Sequence, residues 1–129
     1  MLCHPRPNRV VAAWFRRLID SGAVILIAEI TDYEVRRALL RARLYRSVQR
    51  LDFLKTRLAY LPLTTAVMLR AAELWAQARN RGTPTADPKE LDGDVILAAQ
   101  AEQAKAVVAT DNVGHLSLFV EARPWEELA

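Results

Sequence analysis

The pattern of apolar and polar positions divides the chain into short, distinct segments. Over residues 9–20 the apolar positions Val10, Val11, Trp14, Phe15 and Leu18 recur at helical spacing and fall on one stripe. Asn8 is a good N-cap for that helix and Ser21-Gly22 a good stop. Ala23-Val24-Ile25-Leu26-Ile27-Ala28 is apolar at every position. A short run without alternation predicts a strand buried on both faces, as in a parallel sheet. Thr31 is the expected cap of a helix running through Glu34, Leu39 and Leu40 to about Leu44, and Thr31 with Glu34 has capping-box spacing. A further helix is expected over Ser47–Leu58, then a short edge strand at Tyr60-Leu61-Pro62-Leu63, because Pro62 cannot donate to a ladder.

Thr64 or Thr65 opens a long amphipathic helix to about Arg79, with Met68, Ala71, Ala72, Trp75 and Ala78 on its apolar side. Gly82-Thr83-Pro84-Thr85-Ala86-Asp87-Pro88 is a loop by its Gly and Pro content. A helix from about Leu91 or Asp92 to Lys105 turns Val95, Ile96, Ala98 and Ala99 inward. Ala106–Thr110 is a second buried strand, Asp111–His115 a turn, Phe119-Val120 a further short strand, and Trp125 packs the tail. Helices alternating with short buried strands predict an α/β fold, a mostly parallel central sheet with helices on both faces. There are no repeats and no linker, so residues 1–129 are expected to form a single domain.

Composition adds limits. Hydrophobic residues make up 52% and charged residues 26% of the chain, which fits a globular domain and not a disordered one. The single Cys3 cannot bridge internally, which points to a reducing compartment. No apolar run reaches membrane-spanning length, and the first residues, Met1 to Pro7, lack the apolar segment of a signal peptide. A cytoplasmic protein is the expectation. The formal net charge of +3 permits a nucleic-acid partner without arguing for one. Its distribution says more. From Arg36 to Arg57 the bases are Arg36, Arg37, Arg41, Arg43, Arg46, Arg50, Lys55 and Arg57, against the lone acid Asp52. A basic arm beside an acidic pocket suits a nuclease, since phosphates need attraction and metals need carboxylates. An ordinary solvated helix face is the plainer explanation of the same charges.

In parallel sheets, ligands bind at the carboxyl ends of the strands. That rule selects Glu29 to Glu34 after the first buried run and Asp111 to His115 after the second. Glu34, Asp92, Asp94 and Asp111 are therefore the candidate carboxylates. Clustered acids tolerate one another mainly around a hard cation, and oxygen donors of this kind select Mg²⁺ or Mn²⁺. Each has a duller explanation. Glu34 fits a capping box, Asp92 and Asp94 complement a helix N-terminus, and Asp111 and Asn112 are common turn formers. His115 can orient a water or a phosphate, but a turn histidine is usually just exposed. His4 carries less weight still, and Cys3 has no activating partner.

Ile30-Thr31-Asp32-Tyr33-Glu34-Val35-Arg36-Arg37, Asp94-Val95-Ile96-Leu97-Ala98-Ala99 and Val107-Val108-Ala109-Thr110-Asp111-Asn112-Val113-Gly114-His115-Leu116 resemble, in that order, motifs of the PIN-domain family of metal-dependent ribonucleases. The resemblance is closest to the toxin half of VapBC-type toxin–antitoxin pairs and runs through nearly the whole chain. It implies a PIN-like three-layer α/β fold and an endoribonuclease hydrolysing RNA phosphodiesters with Mg²⁺ or Mn²⁺. Glu34 and Asp94 match two acidic ligands, with Asp92 an adjacent alternative. The last acidic position falls on Asp111 or Asn112, and Thr110 would hydrogen-bond within the site. Arg36, Arg37, Arg43, Thr110 and His115 are the expected RNA contacts. The implied partners are an RNA substrate, a cognate antitoxin and a second copy of the chain in a homodimer. Apolar surface around Leu40, Leu44, Leu51 and Leu54 is one candidate for the antitoxin contact; packing in the domain's own core is the other.

The chain departs from the family pattern at its start. The family opens with an apolar strand ending in Asp-x-Asn or Asp-x-Ser, and no aspartate precedes Asp20 here. Two explanations follow: Met1 is an internal methionine of a longer protein, which is the favoured expectation, or the chain is a truncated copy. The second leads to the alternative function, a non-catalytic PIN-like module binding RNA or protein. A receiver-like signalling domain is a weaker third reading, since the acidic pair it needs after an early strand is absent.

Overall fold

The computed structural model describes residues 9–81, 88–110 and 116–128. The chain divides into two compact units, one running through Leu61 and the other spanning Pro62–Leu128.

In the first unit, helix α1 (Arg9–Asp20) is followed by strand β1 (Leu26–Ala28), α2 (Glu29–Arg41), α3 (Tyr45–Arg57) and β2 (Ala59–Leu61). The strands pair in parallel, with Leu26 opposite Ala59, Ile27 opposite Tyr60 and Ala28 opposite Leu61. β1 is shorter than the apolar run that predicted it. Ala23 and Val24 are exposed, and only Ala28 is fully buried. Nor does Thr31 cap α2. The extended Ala28 occupies the N-cap position without a side-chain cap, and Glu29 already begins the helix. Turning directly from strand to helix puts Ile30, 7% exposed, in the first turn, where its burial outweighs the missing cap.

α2 ends at Arg41, before the expected Leu44, and the hydrogen bonds there explain why. The Leu44 N–H donates to the Leu39 carbonyl at 2.9 Å and the Arg43 N–H to the Leu40 carbonyl at 3.0 Å. This is a Schellman ending with Arg43 in the left-handed position at φ 58°. The apolar contact that accompanies such an ending is present, because Leu39 and Leu51 form a core against which Val35, Leu44, Val48 and Leu54 pack. Leu51 is thus interior to the α2–α3 hairpin, and Leu44 and Leu54 pack against it partly buried, as the core alternative expected. Leu40, 46% exposed, stays outside.

In the second unit, α4 (Thr65–Asn80) and α5 (Pro88–Ala104) precede β3 (Val108–Thr110), β4 (Ala122–Pro124) and a 3₁₀ turn at Trp125–Leu128. The Thr64 hydroxyl caps α4, accepting from the Val67 N–H at 3.1 Å. The buried face of α4 is Val67, Ala71, Leu74 and Ala78. Ala71 and Ala78 are inward as expected, whereas Met68 and Ala72 are exposed and Trp75 only borders the core. Val95, Ala98 and Ala99 of α5 complete that core. β3 pairs in parallel with β4, Val108 lying opposite Ala122. The expected strand at Phe119-Val120 is displaced to Ala122–Pro124, while Phe119 and Val120 pack on the core in a turn. Among the described residues the strands thus form two separate two-stranded parallel sheets. No helix among them is long and apolar enough to cross a membrane.

Candidate functional site

The carboxyl end of β1 leads straight into α2, so the register of that helix decides where its acids lie. Because α2 begins at Glu29, Glu34 belongs to its second turn. It is out of capping range, and its side chain, 41% exposed, approaches Arg37 at 3.8 Å. The capping-box explanation of Glu34 therefore fails. The same holds in α5, which begins at Pro88, earlier than expected. Asp92 and Asp94 then lie beyond the first turn, where a helix dipole gives carboxylates little support. Asp92 is exposed, but Asp94 is half-buried and stands one and two turns before Ala98 and Ala101, both buried. An acid at the head of a buried stripe is harder to explain as surface charge than one on the wet face, so Asp94 is the better candidate. Thr110 ends β3, half-buried, opposite Pro124. Asp111, Asn112 and His115 lie outside the described residues, as do Cys3, His4 and Asn8.

The acid that sequence reasoning passed over is Asp32. It is buried, 7% exposed, on the α2 face toward α3. Its two oxygens are taken by two cations, Arg36 Nη2 at 3.0 Å and Lys55 Nζ at 2.9 Å. Arg36 also meets Asp52 at 2.6 Å. Hydrogen bonding to Asp52 is the largest influence raising the Arg36 pKa, and the same bond lowers the Asp52 pKa. Hydrogen bonding to Asp32 raises the pKa of Lys55. The Lys55 ammonium also lies 4.6 Å from the centre of the Tyr60 ring. Burial pushes the Tyr60 pKa up, Lys55 pulls it down, and hydrogen bonding to Glu29 adds to the rise. These groups clasp α2, α3 and β2 together. The signal was present in the sequence as Asp32 and Arg36 at helical i, i+4 spacing, but burial of the acid was not.

That clasp changes the reading of the basic arm. Arg36, expected to contact RNA, is engaged by two carboxylates and holds the hairpin. Arg37 is 59% exposed beside Glu34, its guanidinium 5.0 Å from the Tyr33 ring centre. Arg43 projects from the hairpin turn and is exposed.

The donors at these positions are carboxylate oxygens, which suit a hard divalent cation better than a soft one. Among the described residues, no three His, Cys, Asp or Glu side chains gather to hold a metal ion. The first unit also holds an apolar cleft of about 580 Å³, lined by Phe15, Ile19, Val24, Phe53, Leu58 and their neighbours. Its lining contains no carboxylate, so it is distinct in chemistry from the acidic positions.

No curated protein matches the sequence. Solved structures resemble its fold closely. VapBC2 from Rickettsia felis, bound to a DNA fragment from its promoter, has a TM-score of 0.73 at 16% identity, covering 95% of this chain and 90% of that one. DNA-bound VapBC from Salmonella typhimurium has a TM-score of 0.69 at 18% identity, covering 95% and 89%. FitAcB from Neisseria gonorrhoeae has a TM-score of 0.64 at 26% identity, covering 97% and 91%. The PIN domain family model matches residues 6–116, taking in Glu34, Asp94 and the strand end at Thr110. With that match over most of its length, the chain belongs to the PIN-domain family.

Proposed function

We propose that the chain, acting as one domain over residues 1–129, is a metal-dependent endoribonuclease of the VapC toxin type. The observation that carries this reading is the placement of Glu34 and Asp94. Both fall within the residues that the PIN family model matches, and both lie in their helices beyond the turns where capping or dipole effects explain an acid. PIN proteins generally use divalent metal ions, and Glu34 and Asp94 are each assigned as a carboxylate ligand for Mg²⁺ or Mn²⁺. Asp111 or Asn112 is the further donor and Asp92 an accessory one. A cation held there would supply charge stabilisation on the phosphodiester and make a water more acidic.

The chain's own residues do the rest. The Asp32–Arg36–Lys55 clasp fixes α2 and so the backbone that carries Glu34. The Thr110 hydroxyl and the His115 imidazole are assigned to orienting the substrate. Arg37 and Arg43 attract its phosphates. The partners assigned are RNA, a cognate antitoxin and a second copy of the chain, in the cytoplasm.

The test is cleavage of a labelled single-stranded RNA in Mn²⁺, with EDTA, Glu34→Gln and Asp94→Asn as controls. Cleavage lost in all three controls is expected. Cleavage that persists in either variant removes that carboxylate from the site. No cleavage by the folded chain leaves the non-catalytic binding module as the better account.

A further inference from the structure

The outer side of the α2–α3 hairpin carries more than the two arginines, Arg37 and Arg43, that the nuclease reading uses. Tyr33, Arg37 and Arg41 follow one another at four-residue spacing along α2, all exposed. They form a ridge about 12 Å long, opposite the face that Val35 and Leu39 give to α3. The Tyr33 ring is 55% exposed and carries the Arg37 guanidinium 5.0 Å from its centre. Arg37 stands at the same time 3.8 Å from Glu34. At the other end, the ridge runs into the hairpin turn, where Arg43 and Arg46 are exposed. Arg43 sits there at φ 58°, in a left-handed position that ordinarily selects glycine.

Guanidinium groups at intervals along a ridge match the phosphates of one strand. An exposed ring flanked by a guanidinium matches the face of an unpaired base, which stacking recognises without regard to sequence. A duplex hides those faces. An acidic protein segment would satisfy the arginines but gives the open tyrosine ring nothing to stack on. We infer that the ridge from Tyr33 through Arg37 and Arg41 to Arg43 and Arg46 is a track for single-stranded RNA. It takes phosphates on the arginines and stacks one base on Tyr33, beside Glu34. This inference rests on RNA being the substrate, and it adds the surface, the strand state and the direction of approach.

The experiment measures binding of a labelled single-stranded RNA by anisotropy in EDTA, where cleavage is stopped. The full chain is compared with Tyr33→Ala, Tyr33→Phe and the triple Arg41→Gln, Arg43→Gln, Arg46→Gln variant, each checked for folding by circular dichroism. Tyr33→Ala is expected to weaken binding by roughly tenfold or more and Tyr33→Phe to restore it. The triple variant is expected to flatten the slope of log affinity against log salt by about 2, at about 0.7 for each phosphate contact on a single strand. A duplex of the same length should bind more weakly and ignore Tyr33. Unchanged affinity in both the alanine and the triple variant overturns the track. A duplex binding as well as the single strand overturns its strand preference. Binding of a polyglutamate peptide as tight as that of RNA, and lost in the same variants, overturns it in favour of an acidic protein partner. Asp94→Asn separates the two readings. Lost cleavage with intact, Tyr33-dependent binding supports both, whereas binding without any cleavage by the parent chain sinks the nuclease alone.

Discussion

Between α2 and α3 of the first unit, a buried carboxylate faces two cations at 3.0 and 2.9 Å, beside a small leucine core. Between α4 and α5 of the second, the apolar core is Val67, Ala71, Leu74 and Ala78 on one helix and Val95, Ala98 and Ala99 on the other, and one neutral polar side chain, Gln100, is also buried on α5. Small side chains let helix backbones approach closely, and among the described residues no charged group is buried with them. The charged clasp is different in kind. It fixes two helices by directional bonds but carries the cost of desolvating its ions, so less of its Coulomb energy appears as stability. The outer faces of α2 and α3 carry arginines and rings. The second unit packs α4 against α5 mainly with aliphatic side chains. The difference teaches that the basic surface and the buried ion pairs of the first unit belong together: a helix that faces outward with arginines is held from the inside by the acids that remain.

The largest expected effect tests the apolar side of that comparison. Leu74 is 4% exposed in the middle of the α4 face. Leu74→Ala should cost about 3 kcal/mol, since the removed methyl groups leave a cavity that neighbouring alanines cannot fill. Urea unfolding followed by circular dichroism measures it. A loss below about 1 kcal/mol would mean that the α4–α5 core is loosely packed and that the contrast between the units is false.

Asp32→Ala tests the charged side. Removing one partner from a fully buried pair costs about 3–5 kcal/mol. Arg36 and Lys55 keep side-chain exposures of 27% and 29% and can turn to water, so a smaller loss of about 2 kcal/mol is expected. Removal of the acid should also free Lys55 to attract phosphate, while Arg36 keeps Asp52, so the same variant should bind RNA slightly more tightly while it unfolds more easily. A variant as stable as the parent would show that the leucines alone hold the hairpin.

The elements were legible in the sequence wherever periodicity was strong: α1, α4 and α5, and the two apolar runs that became β1 and β3. Their exact registers were not. The start of α2 moved from Thr31 to Glu29 because Ile30 finds burial in the first turn, a tertiary gain that outweighs the capping signal. The start of α5 moved back to Pro88, a residue well suited to a first helical turn but read from sequence as loop. β4 was missed because Ala122-Arg123-Pro124 has no strand pattern; its pairing with β3 defines it. In the candidate site, Glu34 and Asp94 were visible through motif resemblance, and the shifted helix starts removed their competing explanations. Asp32 was not visible, because no local pattern tells a buried acid from an exposed one when its second cation, Lys55, is far along the chain.

The smallest effect uses a feature the two units share. Each has a helix that ends with a cation in the left-handed position, Arg43 at φ 58° after α2 and Lys105 at φ 54° after α5. The hydrogen bonds match: Ala106 donates to Ala101 at 2.9 Å and Lys105 to Glu102 at 3.1 Å, as Leu44 and Arg43 do at the first ending. A side chain in that conformation costs about 1–2 kcal/mol, and glycine removes the cost while gaining entropy in the unfolded chain. Arg43→Gly and Lys105→Gly should therefore each stabilise by roughly 0.5–1 kcal/mol in the same unfolding measurement. Their effects on RNA should part. Arg43 belongs to the proposed track and Lys105 does not, so only Arg43→Gly should lower RNA affinity and its salt dependence. If both variants gain stability and neither loses affinity, the left-handed arginine is a tolerated strain of the turn, and the surface of the first unit is no more specialised than that of the second.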